Sequence, residues 1–222
     1  MVGEFSTFCE VMIMYQNCFK RLLAIVLSLL GILCLGWLLL LLSIAIKLDS
    51  PGPVFYRQVR VTRYGREFRI FKFRSMVTDA DKKGSLVTVG GDSRITRVGR
   101  IIRRFRLDEL PQLLNVLAGD MTFVGTRPEV PKYVAAYTPE MMATLLLPAG
   151  ITSEASIRYK DEDKLLSDAD DVDEMYVQKV LPGKMKYNLR SVLEFHFFGD
   201  LATMFRTVFA VLGKDYSQKD RG

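Results

Sequence analysis

Residues 22–46 form a run of 25 amino acids without a formal charge, bounded by Lys20 and Arg21 before it and Lys47 after it. A chain with such a run has to place it in lipid or in a large core, and every other element must be arranged around that choice. As a helix rising ~1.5 Å per residue, the run is roughly 37 Å long, enough to cross the hydrocarbon core with tilt. Length does not separate a spanning helix from one that dips into a single leaflet and returns. Basic residues stand at both ends, so the positive-inside tendency gives no direction, and that symmetry suits re-entry. Gly31, Gly36 and Trp37 are the features available for a break midway. The apolar run is longer than the ~7–15 residues of a signal-peptide core, which argues against a removed signal peptide.

Outside this run the sequence reads as a soluble α+β domain of modest size. Phe5, Phe8, Val11, Met12 and Tyr15 recur at helical spacing and predict a short interfacial helix ahead of the membrane segment. Cys9, Cys18 and Cys34 all lie in or before the apolar run, so no disulfide framework or cysteine metal site is expected. The single histidine, His196, excludes a multi-histidine metal centre.

The net charge of +6 is unevenly spread. Positions 57–106 hold 15 Lys and Arg against 4 Asp and Glu, while positions 161–174 hold 8 acids and only Lys164. A basic region next to a membrane segment points to anionic lipid or a phosphorylated substrate. Nucleic acid is not expected, because no recognition module is present.

Two runs of interleaved apolar and basic residues, VFYRQVRV and REFRIFKFRSM, predict a β-hairpin with a basic face. Ile95, Val98, Ile101, Ile102 and Phe105 then mark one face of a helix whose remainder carries Arg94, Arg97, Arg100, Arg103, Arg104 and Arg106. This is a pattern for an anionic surface or a polyphosphate.

Leu110, Leu113, Leu114 and Leu117 form the next apolar stripe, with Asp108 in position to cap that helix and Pro111 in its first turn. Helix-terminal placement would also keep the Asp108 carboxylate ionised. Because neighbours on a helix diverge, Asp108 and Glu109 are expected to do different jobs. The following GDMTFVGTRPE segment offers backbone N–H groups and the Arg127 guanidinium to phosphate oxygens. Beyond it, ITSEASIRY reads as strand, and positions 177–193 and 201–212 read as helices.

The stretch RITRVGRIIRRFRLDELPQLLNVLAGDMTFVGTRP resembles the signature of the bacterial sugar transferase family, small monotopic phosphoglycosyl transferases acting on polyprenyl phosphate. SPGPVFYRQVRV, FKFRSM, PAGIT and FFGDL are similar to further blocks of that family, so the likeness covers nearly all of positions 19–212. It implies a mainly helical catalytic domain on the cytoplasmic face of the bacterial inner membrane. The reaction implied is transfer of a sugar 1-phosphate from a UDP-sugar to polyprenyl phosphate, with UMP released through a covalent aspartyl-phosphosugar.

Carried onto this chain, the resemblance makes Asp108 the nucleophile and Glu109 the contact to a required Mg²⁺. Gly125, Thr126, Arg127 and Pro128 would line the nucleotide or diphosphate site, with Arg74, Arg97 and Arg104 attracting the anionic substrates and Asp92 and Asp200 in support. The implied organisation is an interfacial segment at 1–18, a re-entrant or spanning helix at 19–48, the catalytic domain at 49–212 and a flexible tail at 213–222. A homodimer is left open. The competing reading is a noncatalytic membrane scaffold.

Three departures stand out. No proline interrupts positions 22–46, Thr126 stands where the VGPRP pattern has proline, and PAGITSEASIRYKDEDK differs from the more frequent PGITGLWQV-like block. Sugar or lipid selectivity is expected in that last segment.

Overall fold

A computed structural model of the protein describes residues 18–80, 92–166, 169, 171–194, 196–211 and 213. The segment expected to be interfacial, apart from Cys18, the glycine-bearing stretch at 83–91, which the sequence suggests is a loop, and most of the expected tail lie outside the described residues. The architecture is α+β, as the patterning predicts, and helix predominates.

The longest element, α1 (Lys20–Asp49), is one uninterrupted helix of 30 residues, about 45 Å at ~1.5 Å per residue. It runs unbroken through Leu35, Gly36 and Trp37, so the expected midway break is absent. The physical reason is that glycine weakens a helix without removing a hydrogen bond, whereas proline removes one and clashes as well.

One face of α1 rests on the rest of the molecule along its whole length. At the start, Arg21 donates to the carbonyl oxygens of Val116 and Leu117, and Lys20 pairs with Asp200 at 2.8 Å. At the end, Ile46 packs with Phe73 and Ile102, and the Asp49 carboxylate accepts the Val98 N–H at 3.0 Å. The opposite face leaves Leu22, Leu29, Leu33, Trp37, Leu40 and Leu48 exposed. A contiguous apolar face of this kind, on a helix long and apolar enough to cross a membrane, marks a lipid-contacting surface.

The basic hairpin forms as predicted. Strand β1 (Phe55–Val61) pairs antiparallel with β2 (Glu67–Phe73), Phe55 opposite Phe73 and Val61 opposite Glu67. Helix α2 (Arg97–Arg104) is capped by Thr96, whose hydroxyl accepts the Gly99 N–H at 3.0 Å. It buries Ile102 and leaves Arg97, Arg100 and Arg104 exposed, as expected of an amphipathic basic helix.

Helix α3 (Gln112–Ala118) lies against the free edge of β2. Its Asn115 completes that edge as a neighbouring strand would: Oδ1 accepts the Phe71 N–H at 2.7 Å and Nδ2 donates to the Arg69 carbonyl at 3.0 Å. Strand β3 (Met121–Val124) pairs in parallel with β4 (Ala149–Thr152). Where the chain leaves β3, a Cβ on Gly125 would lie 2.4 Å from the Pro148 carbonyl oxygen, so only glycine allows this crossing.

Two short helices, α4 (Pro131–Val134) and α5 (Pro139–Met142), fill the crossover between these strands. The strand expected across ITSEASIRY stops at Thr152, because the Ser153 hydroxyl accepts the Ser156 N–H at 3.0 Å and starts α6 (Glu154–Arg158). The acidic region supplies α7 (Glu162–Leu165) and α8 (Val172–Met175). A single π-turn, Tyr176–Val180, joins α8 to α9 (Leu181–Leu193), and α10 (Phe197–Val211) closes the described chain.

Candidate active site

The Asp108–Glu109 pair sits on a 3₁₀ turn, Leu107–Glu109, and Asp108 is not the helix cap that the sequence suggested. In an α-helix the Leu107 carbonyl would take the N–H of residue 111, which as proline has none. Leu110 supplies its N–H instead, at 3.2 Å, and the ladder of α3 begins only after Pro111. Arg106, at φ 55°, makes the left-handed step that feeds this turn. A left-handed residue other than glycine, asparagine or aspartate costs of order 1 kcal/mol and marks an over-determined position.

Freed from capping, the Asp108 side chain is 9% exposed, lines a cavity of about 1500 Å³, and has no hydrogen-bond partner among the described residues. Burial raises its carboxyl above the ordinary 3.8, against the pull of Lys72, Arg103 and Arg106. Glu109, its neighbour, is held quite differently. Its Oε1 accepts from Arg127 Nη2 at 2.7 Å and from Lys72 Nζ at 2.9 Å. Burial by itself would raise Glu109, but Arg127, Lys72 and Arg106 outweigh it and hold the carboxyl well below its usual range.

Each member of this cluster is fixed by the fold. Lys72 shares the inward face of β2 with the buried Phe68 and Ile70, so it enters the site at a core position. Burial lowers its ammonium, and Glu109 partly restores it. Arg127 is placed by a loop laced to β1: the Val61 N–H donates to the Glu129 carbonyl at 2.9 Å, and Arg60 Nη1 donates to the Pro128 carbonyl at 3.0 Å. Arg100, Arg103, Arg104 and Arg106 line the same cavity from the basic helix and the turn after it. Leu27, Gly31 and Leu35, four residues apart on α1, form part of its apolar wall together with Met204 and Val208 of α10.

Residues 15–214 match the family model of bacterial sugar transferases. The chain belongs to that family. Among its relatives, a UDP-N-acetylgalactosamine-undecaprenyl-phosphate N-acetylgalactosaminephosphotransferase of Aeromonas hydrophila is 35% identical over 196 residues, 87% of this chain and 43% of the relative. A UDP-glucose:undecaprenyl-phosphate glucose-1-phosphate transferase of Caulobacter vibrioides is 44% identical over 142 residues, 63% of this chain and 53% of that protein. The enzyme of the same name from Escherichia coli is 33% identical over 194 residues, 86% of this chain and 39% of its own length. The chain thus spans about half or less of the length of these relatives.

Within this sugar transferase domain, the residues singled out from sequence divide into two groups. Asp108, Glu109, Arg127, Arg104 and Arg74 line the cavity. Arg74 has a second task, because its Nη2 donates to the Ser50 carbonyl at 2.6 Å and to the Ile46 carbonyl at 3.2 Å and so fastens the end of α1.

The remainder lie outside the cavity lining. Gly125 and Thr126 engage β4 through their backbones, the Gly125 N–H reaching the Thr152 carbonyl at 3.0 Å and the Thr126 carbonyl accepting from Gly150 at 2.8 Å. Pro128 is buried and contributes its carbonyl to Arg60. Arg97 is exposed at the first position of α2. Asp92 is clamped by Arg94, whose Nη2 lies 2.6 Å from Oδ2, and Asp200 is paired with Lys20.

Sequence reasoning missed Lys72, Arg60, Glu129, Tyr176, Lys184 and Glu162, all of which line the cavity. For Lys72 a signal existed: a lysine two residues beyond Ile70 in an alternating strand falls on the core side. Glu129, Tyr176, Lys184 and Glu162 are brought together only by tertiary packing.

Proposed function

We propose that this protein transfers a sugar 1-phosphate from a UDP-sugar to polyprenyl phosphate, giving a polyprenyl-diphosphate-sugar and UMP. The observation that carries the reading is the contrast within the acid pair. Asp108 lies buried and unengaged among cations, while Glu109 beside it is immobilised by Arg127 and Lys72.

In the first step an Asp108 carboxylate oxygen attacks the β-phosphorus of the donor. The bond from that phosphorus to the bridging oxygen breaks, and UMP leaves with its electron pair. In the second step an oxygen of polyprenyl phosphate attacks the same phosphorus, and Asp108 departs as a carboxylate. A carboxylate suits this double displacement because the acyl phosphate it forms remains a good donor. Lys72, Arg103 and Arg106 oppose the burial penalty on Asp108 and favour the ionised form that attacks. Arg127 keeps a fixed guanidinium at the site while it anchors Glu109.

The residues present fit a Mg²⁺ requirement. Glu109 retains one carboxylate oxygen, Oε2, without a hydrogen bond among the described residues, and Mg²⁺ commonly takes one or two protein carboxylates together with substrate phosphates and water. Glu109 would hold the ion, which when bound supplies neutralising charge to the diphosphate.

The ties at both ends of α1 support a monotopic placement, and the resemblance to the family puts the catalytic domain of our proposal on the cytoplasmic face of the inner membrane. A crossing helix would separate its ends by a hydrocarbon layer of about 30 Å, yet Lys20 and Asp49 are bonded to the same domain. In sealed cells a membrane-impermeant thiol reagent should therefore label neither Cys18 nor a Ser50→Cys variant. External labelling of Cys18 alone would establish a span and end the monotopic reading.

The reaction is tested by UMP release from a panel of UDP-sugars supplied with polyprenyl phosphate. Mg²⁺-dependent release is expected, with a phosphosugar trapped on Asp108 when the lipid is withheld. Absence of release from every donor would sink the proposal and leave the scaffold reading in its place.

A further inference from the structure

Beyond Arg127 the cavity carries a second polar group that the proposed chemistry does not use. The Tyr176 hydroxyl donates to Glu129 Oε1 at 2.6 Å. Lys184 Nζ donates to that same hydroxyl at 3.1 Å and pairs with Glu162. All four residues line the cavity, and Lys184 is only 4% exposed. Burying a lysine is costly unless it is fully engaged, so its presence on a cavity wall calls for a reason.

Local sequence builds this wall deliberately into the helix. Residues 172–193 form one continuous helical path, but Pro182 has no N–H for the Gln178 carbonyl, and its ring would press on that oxygen. The ladder yields through the π-turn Tyr176–Val180, a feature frequent at functional sites. Next to it, a Cβ on Gly183 would come within 1.9 Å of the Tyr159 hydroxyl oxygen, so glycine alone lets Tyr159 approach here. That approach brings the chain after α6, including Glu162, against Lys184.

The hydrogen-bonding capacity of the wall is not exhausted. An ammonium has three donors, of which Lys184 spends one on Tyr176, its contact with Glu162 Oε2 being an ion pair without a hydrogen bond. Glu129 Oε2 and both carboxylate oxygens of Glu162 have no hydrogen-bond partner among the described residues. Two carboxylates repel phosphate, which the Lys72, Arg103, Arg106 and Arg127 side of the cavity attracts. Uracil presents two carbonyl acceptors and one N–H on its edge, a poor match for a pair of carboxylates. Adjacent hydroxyls of a neutral pyranose, each both donor and acceptor, match the mixed set well.

We propose that Glu129, Tyr176, Lys184 and Glu162 form the subsite that reads the sugar of the donor, a neutral pyranose held by its hydroxyl or acetamido substituents. The assignment rests on the reaction proposed above. Tyr176 and Lys184 act here as specificity residues, and the bond-making step stays with Asp108.

The test compares Tyr176→Phe and Glu162→Gln with the unsubstituted protein on a UDP-hexose and the corresponding UDP-N-acetylhexosamine, with inhibition by UMP measured alongside. Loss of a hydrogen bond to a buried polar partner should change the ratio of kcat/KM between the two donors by about tenfold or more. UMP inhibition should stay within about twofold, because the nucleotide does not reach this wall. Glu162→Gln is isosteric at a side chain 27% exposed, so it keeps the test open if Tyr176→Phe fails to fold. An equal fall for both donors, or a lower melting temperature with an unchanged donor ratio, assigns the wall a structural role and overturns the proposal. Weakened UMP inhibition makes it a nucleotide subsite and also overturns it. No UMP release by the unsubstituted protein overturns the reaction itself, a failure distinct from normal release with an unmoved donor ratio.

Discussion

On one side of the cavity a carboxylate, Glu109, sits between two cations; on the other a cation, Lys184, sits between a tyrosine hydroxyl and a carboxylate. Both arrangements satisfy a buried charge, yet they leave opposite surplus. Around Glu109 the surplus is positive, with Arg103 and Arg106 added to Lys72 and Arg127. Around Lys184 the surplus is acceptor oxygen, from Glu129 and Glu162. A molecule that is anionic at one end and hydroxylated at the other is thereby oriented before any bond to Asp108 forms.

The sharpest break of this comparison is Asp108→Asn. If the cationic side exists to serve an attacking carboxylate, UMP release should fall by at least about a thousandfold and covalent labelling should vanish, as expected when a nucleophile is removed. The same variant should melt at a higher temperature at neutral pH. Burial raises the Asp108 carboxyl in the folded state, so its ionisation costs stability as pH rises from 3.8 through the folded value. A variant that is inactive and more stable separates a functional charge from a structural one; unchanged turnover would remove Asp108 from the mechanism.

Next in size is Arg127→Met. Glu109 would lose one of its two cations while staying buried, and breaking such a pair costs about 3–5 kcal/mol. Urea unfolding in detergent at pH 7 measures this, and a loss under 1 kcal/mol would show that Lys72 alone suffices. The pH dependence carries the same information with the sign reversed from Asp108. Glu109 is held below its ordinary 4.5, so the stability it confers is fully present above pH 4.5 and is lost as pH falls through the folded value. In Arg127→Met this acid-side loss should be smaller and should be complete at a higher pH.

The two sides were also unequally legible in the sequence. The hairpin, the basic helix and the acid pair are local patterns, and local patterning predicts them because period and charge are read within a dozen residues. Asp108 as a helix cap was the local error, and Pro111 explains it: the missing N–H shifts the helix start past the turn. Flanking charge suits re-entry and Gly31, Gly36 and Trp37 offer a place for a break, but neither feature removes a backbone hydrogen bond, and those of α1 run uninterrupted. The Lys184 side was invisible for another reason. Glu129, Glu162 and the Tyr176–Lys184 pair come from three separate segments, and the π-turn that orients that pair answers to a proline that by itself marks only a helix start.

The smallest effect concerns stability on that less legible side. Tyr176→Phe removes one hydroxyl, which donates to Glu129 and accepts from Lys184, while Lys184 keeps Glu162 and Glu129 stays at the cavity surface. A hydrogen bond to a charged group contributes about 1.5–3 kcal/mol, and a cavity-lining carboxylate recovers part of that from water, so a loss of about 1–2 kcal/mol is expected. This is smaller than for Arg127→Met because a neutral hydroxyl is removed, whereas there a buried carboxylate loses one of its two cations. Urea unfolding of both variants under one condition ranks them. A Tyr176→Phe loss equal to that of Arg127→Met would mean that the hydroxyl is the keystone of a closed structural network with no spare acceptors, and the contrast between the two sides of the cavity would fail.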